Sequence, residues 1–257
     1  MNFKINLNAD LGESFGSWKI NNEEKLLQIV NSANIACGKH AGDENIMKKV
    51  VLKCIKNNVS IGAHPGFSDL QGFGRRRINL TFKEIENLIS YQLGALIGIT
   101  LSSGGNVTHI KPHGALNNMS CESPDIARSI INGFKCIDRN LILLAPVNSF
   151  LYKEGINAGI KTISEGFADR TYMSNGNLSP RTSKRSIITN FDECIKQSLS
   201  LAKGEPIKTH DGKEVLLKVQ SICIHGDKDE SLEQSKKIRN AFLKCGFKLI
   251  NLPEFFI

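Results

Sequence analysis

Carboxylates, imidazoles and one lysine recur in this chain just beyond short apolar runs. Asp10 and Glu13 follow residues 3–8, and Cys37, His40 and Asp43 follow residues 33–36. His64-Pro65 ends the run 59–63, and Lys111-Pro112-His113 follows 107–110. Glu165 and Asp169 come after 160–164, and His225-Gly226-Asp227 after 219–224. Asp and His together can bind a divalent metal or act as general acid and base. Hydrolysis of a carbon–nitrogen amide needs a base to activate water and a donor to meet the developing oxyanion. Asp10 or a histidine can serve as base, and Lys111 or another histidine as donor. The spacing leaves metal-assisted and metal-free hydrolysis both open, so the metal is undetermined at this level.

Four of the six histidines (40, 64, 113 and 225) sit at such ends, and His109 lies inside its own run. A lone histidine is more often structural. Four at equivalent ends, each within two residues of Gly or Pro where the backbone turns sharply, favour a shared site. Gly72-Phe73-Gly74-Arg75-Arg76-Arg77 is a cationic loop that can grip a carboxylate through bidentate contacts, or merely be a solvated turn. Cys37 reads as a packing or rim residue.

The elements that must place these groups alternate. The apolar runs read as strands at 3–8, 33–36, 59–63, 107–110, 141–145, 160–164 and 219–224, rich in Ile, Val and Leu as strands covered on both faces are. Helices lie between them. Ile46, Val50 and Cys54 share one face after Asp43, a natural N-cap. Thr81 and Glu84 form a capping box, and Ser123-Pro124 reads as N-cap and N1. Asn190 and Asp229 read as caps of two later helices. Alternating strands and helices imply parallel pairing with right-handed crossovers. Seven units predict a closed or nearly closed barrel over 1–257 as one domain, with an open doubly wound sheet as runner-up. In either, the strand ends share one ligand-binding face. Residues 167–187 form the longest irregular stretch, of a length typical of functional lids or disorder.

Composition narrows the class. The chain has 257 residues, 33 basic against 25 acidic, for a net charge of +8. The lysines are scattered, so a solvated basic surface is expected rather than a nucleic-acid footprint. No run of about 20 apolar residues suggests a membrane span. The N-terminal segment lacks secretory character. Seven cysteines without a CxxC pair argue against a disulfide framework and point to a reducing, cytoplasmic setting. P-loop, dinucleotide and GxSxG signatures are absent.

The segments LNADLGESFG (7–16), SANIACGKHAGD (32–43), IGAHPGFSDLQGFGRR (61–76), YQLGAL (91–96), HIKPHGALNN (109–118), FADRTY (167–172) and HGD (225–227) resemble the LamB/YcsF family from end to end. The resemblance implies an irregular seven-stranded β/α barrel of the glycoside hydrolase/deacetylase type, akin to a TIM barrel. It implies ATP-dependent opening of the 5-oxoproline lactam to L-glutamate, with ADP and phosphate released. The partners implied are 5-oxoprolinase subunits B and C, and ATP enters only through the resemblance. Matching positions are Asp10, Glu13, His40, Asp43, His64, Lys111 and His113, with Arg75, Arg76, Asp169 and Arg170 as substrate-binding candidates. Lys39, Asn117 and Asn175 depart from the family's usual residues. Two other functions remain open from the residues: metal-dependent deacetylation of an N-acetylated sugar, and non-enzymatic polyanion binding.

Overall fold

The computed structural model describes residues 3–20, 22–180, 182–225 and 229–257. Its strands are β1 (Lys4–Leu11), β2 (Ser32–Ala36), β3 (Ser60–His64), β4 (Val107–Ile110), β5 (Ile142–Pro146), β6 (Thr162–Phe167), β7 (Pro206–Lys208), β8 (Glu214–Leu216), β9 (Ser221–Cys223) and β10 (Lys248–Leu249). β1 to β6 and β9 pair in parallel, and β9 returns to β1, so seven strands close a barrel. The open doubly wound sheet is thereby excluded. β10 adds in parallel to the start of β1, and β7–β8 is an antiparallel hairpin outside the barrel.

The helices are α1 (Glu23–Leu26), α2 (Glu44–Lys56), α3 (Phe82–Leu101), α4 (Gly114–Glu122), α5 (Pro124–Lys135), α6 (Phe150–Asn157), α7 (Phe191–Lys203) and α8 (Asp229–Lys244). Their starts follow local chemistry. Asp43 accepts from the amides of Asn45 and Ile46, Thr81 and Glu84 close their box, and Asn190 accepts from Glu193. Ser123 accepts from Ile126 ahead of Pro124 at the first helical turn. Asp43 is thus committed to a helix end rather than to the site chemistry. α8 begins at Asp229 itself, so that residue is inside the helix rather than before it.

Strand parity divides the core in two. Ile5, Leu7, Ala9 and Leu11 of β1 join the large apolar layer between barrel and helices. The alternate residues Asn6, Asn8 and Asp10 turn inward. The same parity turns inward Ser32 and Asn34, Gly62 and His64, His109 and Lys111, Ile163 and Glu165, and Ser221 and Cys223. A separate apolar plug of Ile142, Leu144 and Ile163 closes on Leu252 from the final 3-10 turn (Leu252–Phe256). The inward polar groups satisfy one another. Asn6 donates to Ser32 Oγ at 2.9 Å and to the Ile250 carbonyl at 2.8 Å. Ser221 Oγ donates to Asn6 Oδ1 at 2.8 Å, and Asn8 Nδ2 to Ser221 Oγ at 2.8 Å. Buried amides demand such pairing, because an unmet polar group costs about 1–3 kcal/mol.

The strands expected from sequence are too short where it matters. β1 runs to Leu11 and β6 to Phe167, so Asp10 and Glu165 are strand residues rather than loop residues. The stretch after β6 is an ordered loop where described, bridged between Arg170 and Ile187 and between Tyr172 and Leu178.

Candidate active site

The C-terminal ends of the strands assemble two tiers of polar groups. The lower tier centres on Lys111, which is buried. Its Nζ lies 3.0 Å from Asp10 Oδ1, 2.9 Å from Glu165 Oε1, 3.4 Å from Asn8 Oδ1 and 3.3 Å from Cys223 Sγ. Burial alone would strip its proton, but the charges of Asp10 and Glu165 and the contact with Cys223 hold its pKa well above the usual range. Asp10 responds in the opposite sense. Burial pushes it up, yet His64 and Lys111 outweigh burial and hold the carboxyl well below its ordinary value. Glu165 is raised, because burial exceeds what Lys111 returns.

His109 belongs to this tier as a scaffold. Asn34 Nδ2 donates to Asn8 Oδ1 and Asp10 Oδ1, both at 2.8 Å, so its Oδ1 is the acceptor for His109 Nε2–H at 3.0 Å. Thr108 Oγ1 stands 2.9 Å from His109 Nδ1. The ring is a neutral tautomer, its pKa pushed down to about 3 by burial and then by Lys111 and His64. Gly62 makes room for it: a Cβ there would stand 2.1 Å from His109 Nε2.

The upper tier is Glu13, His40, His64 and His113. One ligand atom from each lies within 4.8 Å of all the others. His40 Nε2 is 3.1 Å from Glu13 Oε1, and His113 Nδ1 is 3.4 Å from the same oxygen. The His40 and His113 rings stack at 3.7 Å. His64 Nε2 faces Asp10 Oδ2 at 3.2 Å, linking the tiers.

Backbone carbonyls assign the tautomers. His64 Nδ1 donates to the Lys111 carbonyl at 2.7 Å, and His113 Nε2 to the Phe73 carbonyl at 2.8 Å. Their remaining nitrogens face each other at 3.0 Å, which requires a proton or a cation between two lone pairs. Outer nitrogens bonded to carbonyls with inner nitrogens converging is the arrangement metal-ligating histidines adopt. Three carboxylates (Asp10, Glu13 and Glu165) against one ammonium leave excess negative charge for a cation to offset. The four upper residues therefore suit a divalent ion of the zinc class. Without one, the proton goes to His64: burial opposes it, but Asp10 raises its pKa. His40 and His113 are held well below the usual imidazole range, first by burial and then by neighbouring imidazoles.

The loop before α3 shapes this tier. Phe73 takes φ 52° and Gly74 φ 62°. A Cβ on Gly74 would stand 2.7 Å from His40 Cβ and 2.9 Å from His113 Cδ2. The left-handed pair thus turns the Phe73 carbonyl toward His113 while admitting both rings.

The structure brings together Asp10, Glu13, His40, His64, Lys111 and His113, and separates the arginines. Arg76 is clamped by Asp69, and Arg77 pairs with Glu122 at 2.7 Å. Arg75 lies over the Phe73 ring and acts on His40, with no carboxylate partner among the described residues. Of the arginine pair, Arg75 thus differs from Arg76 in lacking a carboxylate partner among the described residues. Arg170 is buried, and its guanidinium donates to the carbonyls of Ser179 and Ser186, tying the long loop. Asp169 pairs with His225 at 2.8 Å. Gly226 and Asp227 lie outside the described residues. Asn8, Asn34 and Cys223 are site-lining groups that motif spacing left out, although the alternation in KINLNADL marks the inward face of β1; Glu165, named with the strand ends, joins them. Cys37 is buried with its thiol pushed up to about 12 by burial, in keeping with packing. Lys39, one of the departures, lies over the Tyr91 ring at 4.9 Å.

The family's sequence profile, described as the LamB/YcsF family, matches residues 5–256. This chain belongs to the LamB/YcsF family. It is 43% identical to the A subunit of 5-oxoprolinase from an Azoarcus species, over 98% of each chain. It is 44% identical to the A subunit of 5-oxoprolinase from Staphylococcus epidermidis, over 98% of this chain and 100% of that one. Among solved structures, the lactam utilization protein of Thermus thermophilus superposes with a TM-score of 0.90 at 34% identity, covering 96% of this chain and 99% of that one. The family's barrel is thus the one seen here. The relatives' designation as an A subunit implies further subunits. Among the described residues, no helix is long and apolar enough to cross a membrane.

Proposed function

We propose that this chain is the lactam-opening component of an ATP-dependent 5-oxoprolinase. Its substrate is 5-oxoproline, its product L-glutamate, and it works with partner subunits B and C. The observation that carries the reading is the convergence of Asp10 and Lys111 beneath a four-residue imidazole–carboxylate cluster, which His64 joins to Asp10, in a chain matched end to end by relatives of that designation. No phosphate-cradling motif is present in the sequence, so nucleotide chemistry is assigned to the assembled complex rather than to a named residue.

The Asp10–His64 pair takes the proton from attacking water, with Asp10 stabilising the imidazolium that results. Lys111 acts through Asp10 and Glu165. Its three N–H donors are shared among Asp10, Glu165, Asn8 and Cys223, which makes it an electrostatic anchor rather than the direct oxyanion donor expected from sequence. His113 is likewise engaged at both nitrogens and serves to hold the cluster. Arg75 meets the substrate carboxylate. A divalent ion, if held by Glu13, His40, His64 and His113, would supply Lewis acidity toward the carbonyl and acidify water; His64 Nε2 would then be a ligand, and Asp10 alone would take the proton.

The test is reconstitution with subunits B and C, ATP and 5-oxoproline. Glutamate and ADP should form together, and Asp10→Asn should lower the rate by about 100-fold or more. Absence of glutamate, while the same partners work with the corresponding chain of a relative, overturns the reading. The deacetylase alternative keeps one observation in its favour, the metal-type cluster. ATP-independent release of acetate from an N-acetylated sugar would select it. Polyanion binding loses its main support, since two of the three loop arginines are paired internally.

A further inference from the structure

One pair of titratable groups at the barrel mouth is unused by that mechanism. Asp169 and His225 lie 56 residues apart, on the segments leaving β6 and β9. These strands are neighbours, with Phe167 in register with Cys223. Parity continues beyond both strands. Glu165, Phe167 and Asp169 climb one inward row, and Ser221, Cys223 and His225 climb the next. The rung below the pair flanks Lys111, whose Nζ lies 5.5 Å from the Phe167 ring and 3.3 Å from Cys223 Sγ. The pair therefore stands one rung above the Lys111 tier, on the β6–β9 side of the mouth. The imidazole–carboxylate cluster stands on the β2–β4 side, with Asp10 on β1 between them.

The pair has the form of an oriented proton carrier. Asp169 Oδ2 accepts from His225 Nδ1 at 2.8 Å, which fixes the ring's orientation. Burial opposes the charge on Asp169, but His225 outweighs burial and keeps the carboxyl ionised below its usual range. The His225 side chain remains about a quarter exposed, at 27%, whereas His64 is buried. Lactam opening needs such a group. An amide nitrogen leaves poorly as an anion, and it must gain a proton as the carbon–nitrogen bond breaks.

We infer that His225, positioned by Asp169, is the general acid that protonates the departing ring nitrogen; this rests on the lactam reading above. Water oxygen adds to the carbonyl carbon, and its proton goes to the Asp10–His64 pair. When the carbon–nitrogen bond breaks, its electron pair passes to nitrogen, which takes the proton from His225 Nε2. His225 is then reprotonated from solvent, and the Asp10–His64 pair releases its proton there. However ATP activates the carbonyl, the nitrogen still needs that proton.

The experiment uses the assembled complex with ATP and two substrates: 5-oxoproline and the thiolactone in which sulfur replaces the ring NH. A thiolate leaves without protonation, so the thiolactone bypasses a general acid. His225→Gln should lower the lactam-to-thiolactone rate ratio by about 100-fold or more. Asp169→Asn should lower it by a smaller factor, because the imidazole remains. Equal loss on both substrates, or no loss, overturns the proposal and leaves the lactam reading standing. A wild-type complex that opens neither substrate overturns both. If the wild type opens only the lactam, imidazole added to His225→Gly decides: restored lactam opening supports the acid role, and its absence overturns it.

Discussion

Protonating His109 should cost this barrel much of its stability, and the amount follows from the ring's surroundings. The imidazole is fully buried beside Lys111, with Nε2–H given to Asn34 and Thr108 facing Nδ1. Burial and the two neighbouring cations push its pKa from 6.5 down to about 3. In the unfolded chain the ring titrates near 6.5, so acid favours the unfolded state below that pH. Stability from the neutral ring is complete above pH 6.5 and is lost progressively between 6.5 and about 3. At pH 5 the ring lies about 1.5 pH units below its unfolded midpoint and still above its folded one. At about 1.36 kcal/mol per unit, the loss is about 2 kcal/mol. His109→Gln removes the titration while leaving an amide of similar reach. Urea unfolding of both proteins at pH 7 and pH 5 isolates the effect. The wild type's stability relative to His109→Gln should fall by about 2 kcal/mol over that interval, whatever the variant costs at pH 7. A relative stability independent of pH would refute the assignment of a buried neutral imidazole.

Other consequences are equally direct. Gly62→Ala forces a Cβ to within 2.1 Å of His109 and should destabilise by about 1–3 kcal/mol, read as a lowered thermal midpoint. Lys111→Met leaves Asp10 and Glu165 without their shared counter-charge and should cost about 3–5 kcal/mol in denaturant titration. Asp69, held down to about 2 chiefly by its bond from Arg76, should stabilise the loop at neutral pH. That advantage over Asp69→Asn should disappear as pH falls from about 4 to 2, followed by unfolding midpoints. Zinc titrated calorimetrically into chelator-treated protein should fill one site per chain, and His40→Ala or His113→Ala should weaken it by at least about tenfold.

The barrel was legible because each strand is short, apolar and followed by a capped helix, a rhythm that leaves few topologies. The polar strand ends were legible for the same reason. The inward ladder of Asn6, Asn8 and Asn34 was obscured by treating strands as uniformly apolar. In β1 the polar residues alternate with Ile5, Leu7 and Ala9, and a period of two separates the faces. Ending that strand at Asn8 placed Asp10 in a loop, and ending β6 at Ser164 did the same to Glu165. The fate of the arginines was beyond local reading. Arg75, Arg76 and Arg77 are chemically identical neighbours, distinguished only by Asp69 and by Glu122, 45 residues from its partner. The pairing of Asp169 with His225 likewise exists only once β6 and β9 stand side by side.

Below its rim, the barrel is filled by interlocked amides and hydroxyls and corked by Leu252 against Ile142, Leu144 and Ile163. Among the described residues, that end is sealed and the titratable groups gather at the other. On the lactam reading, reactant, water and the ring-opened amino acid cross at the mouth formed by the strand ends, so whatever docks over that mouth would govern entry and exit alike. On that reading, traffic control would belong to the assembly rather than to this chain.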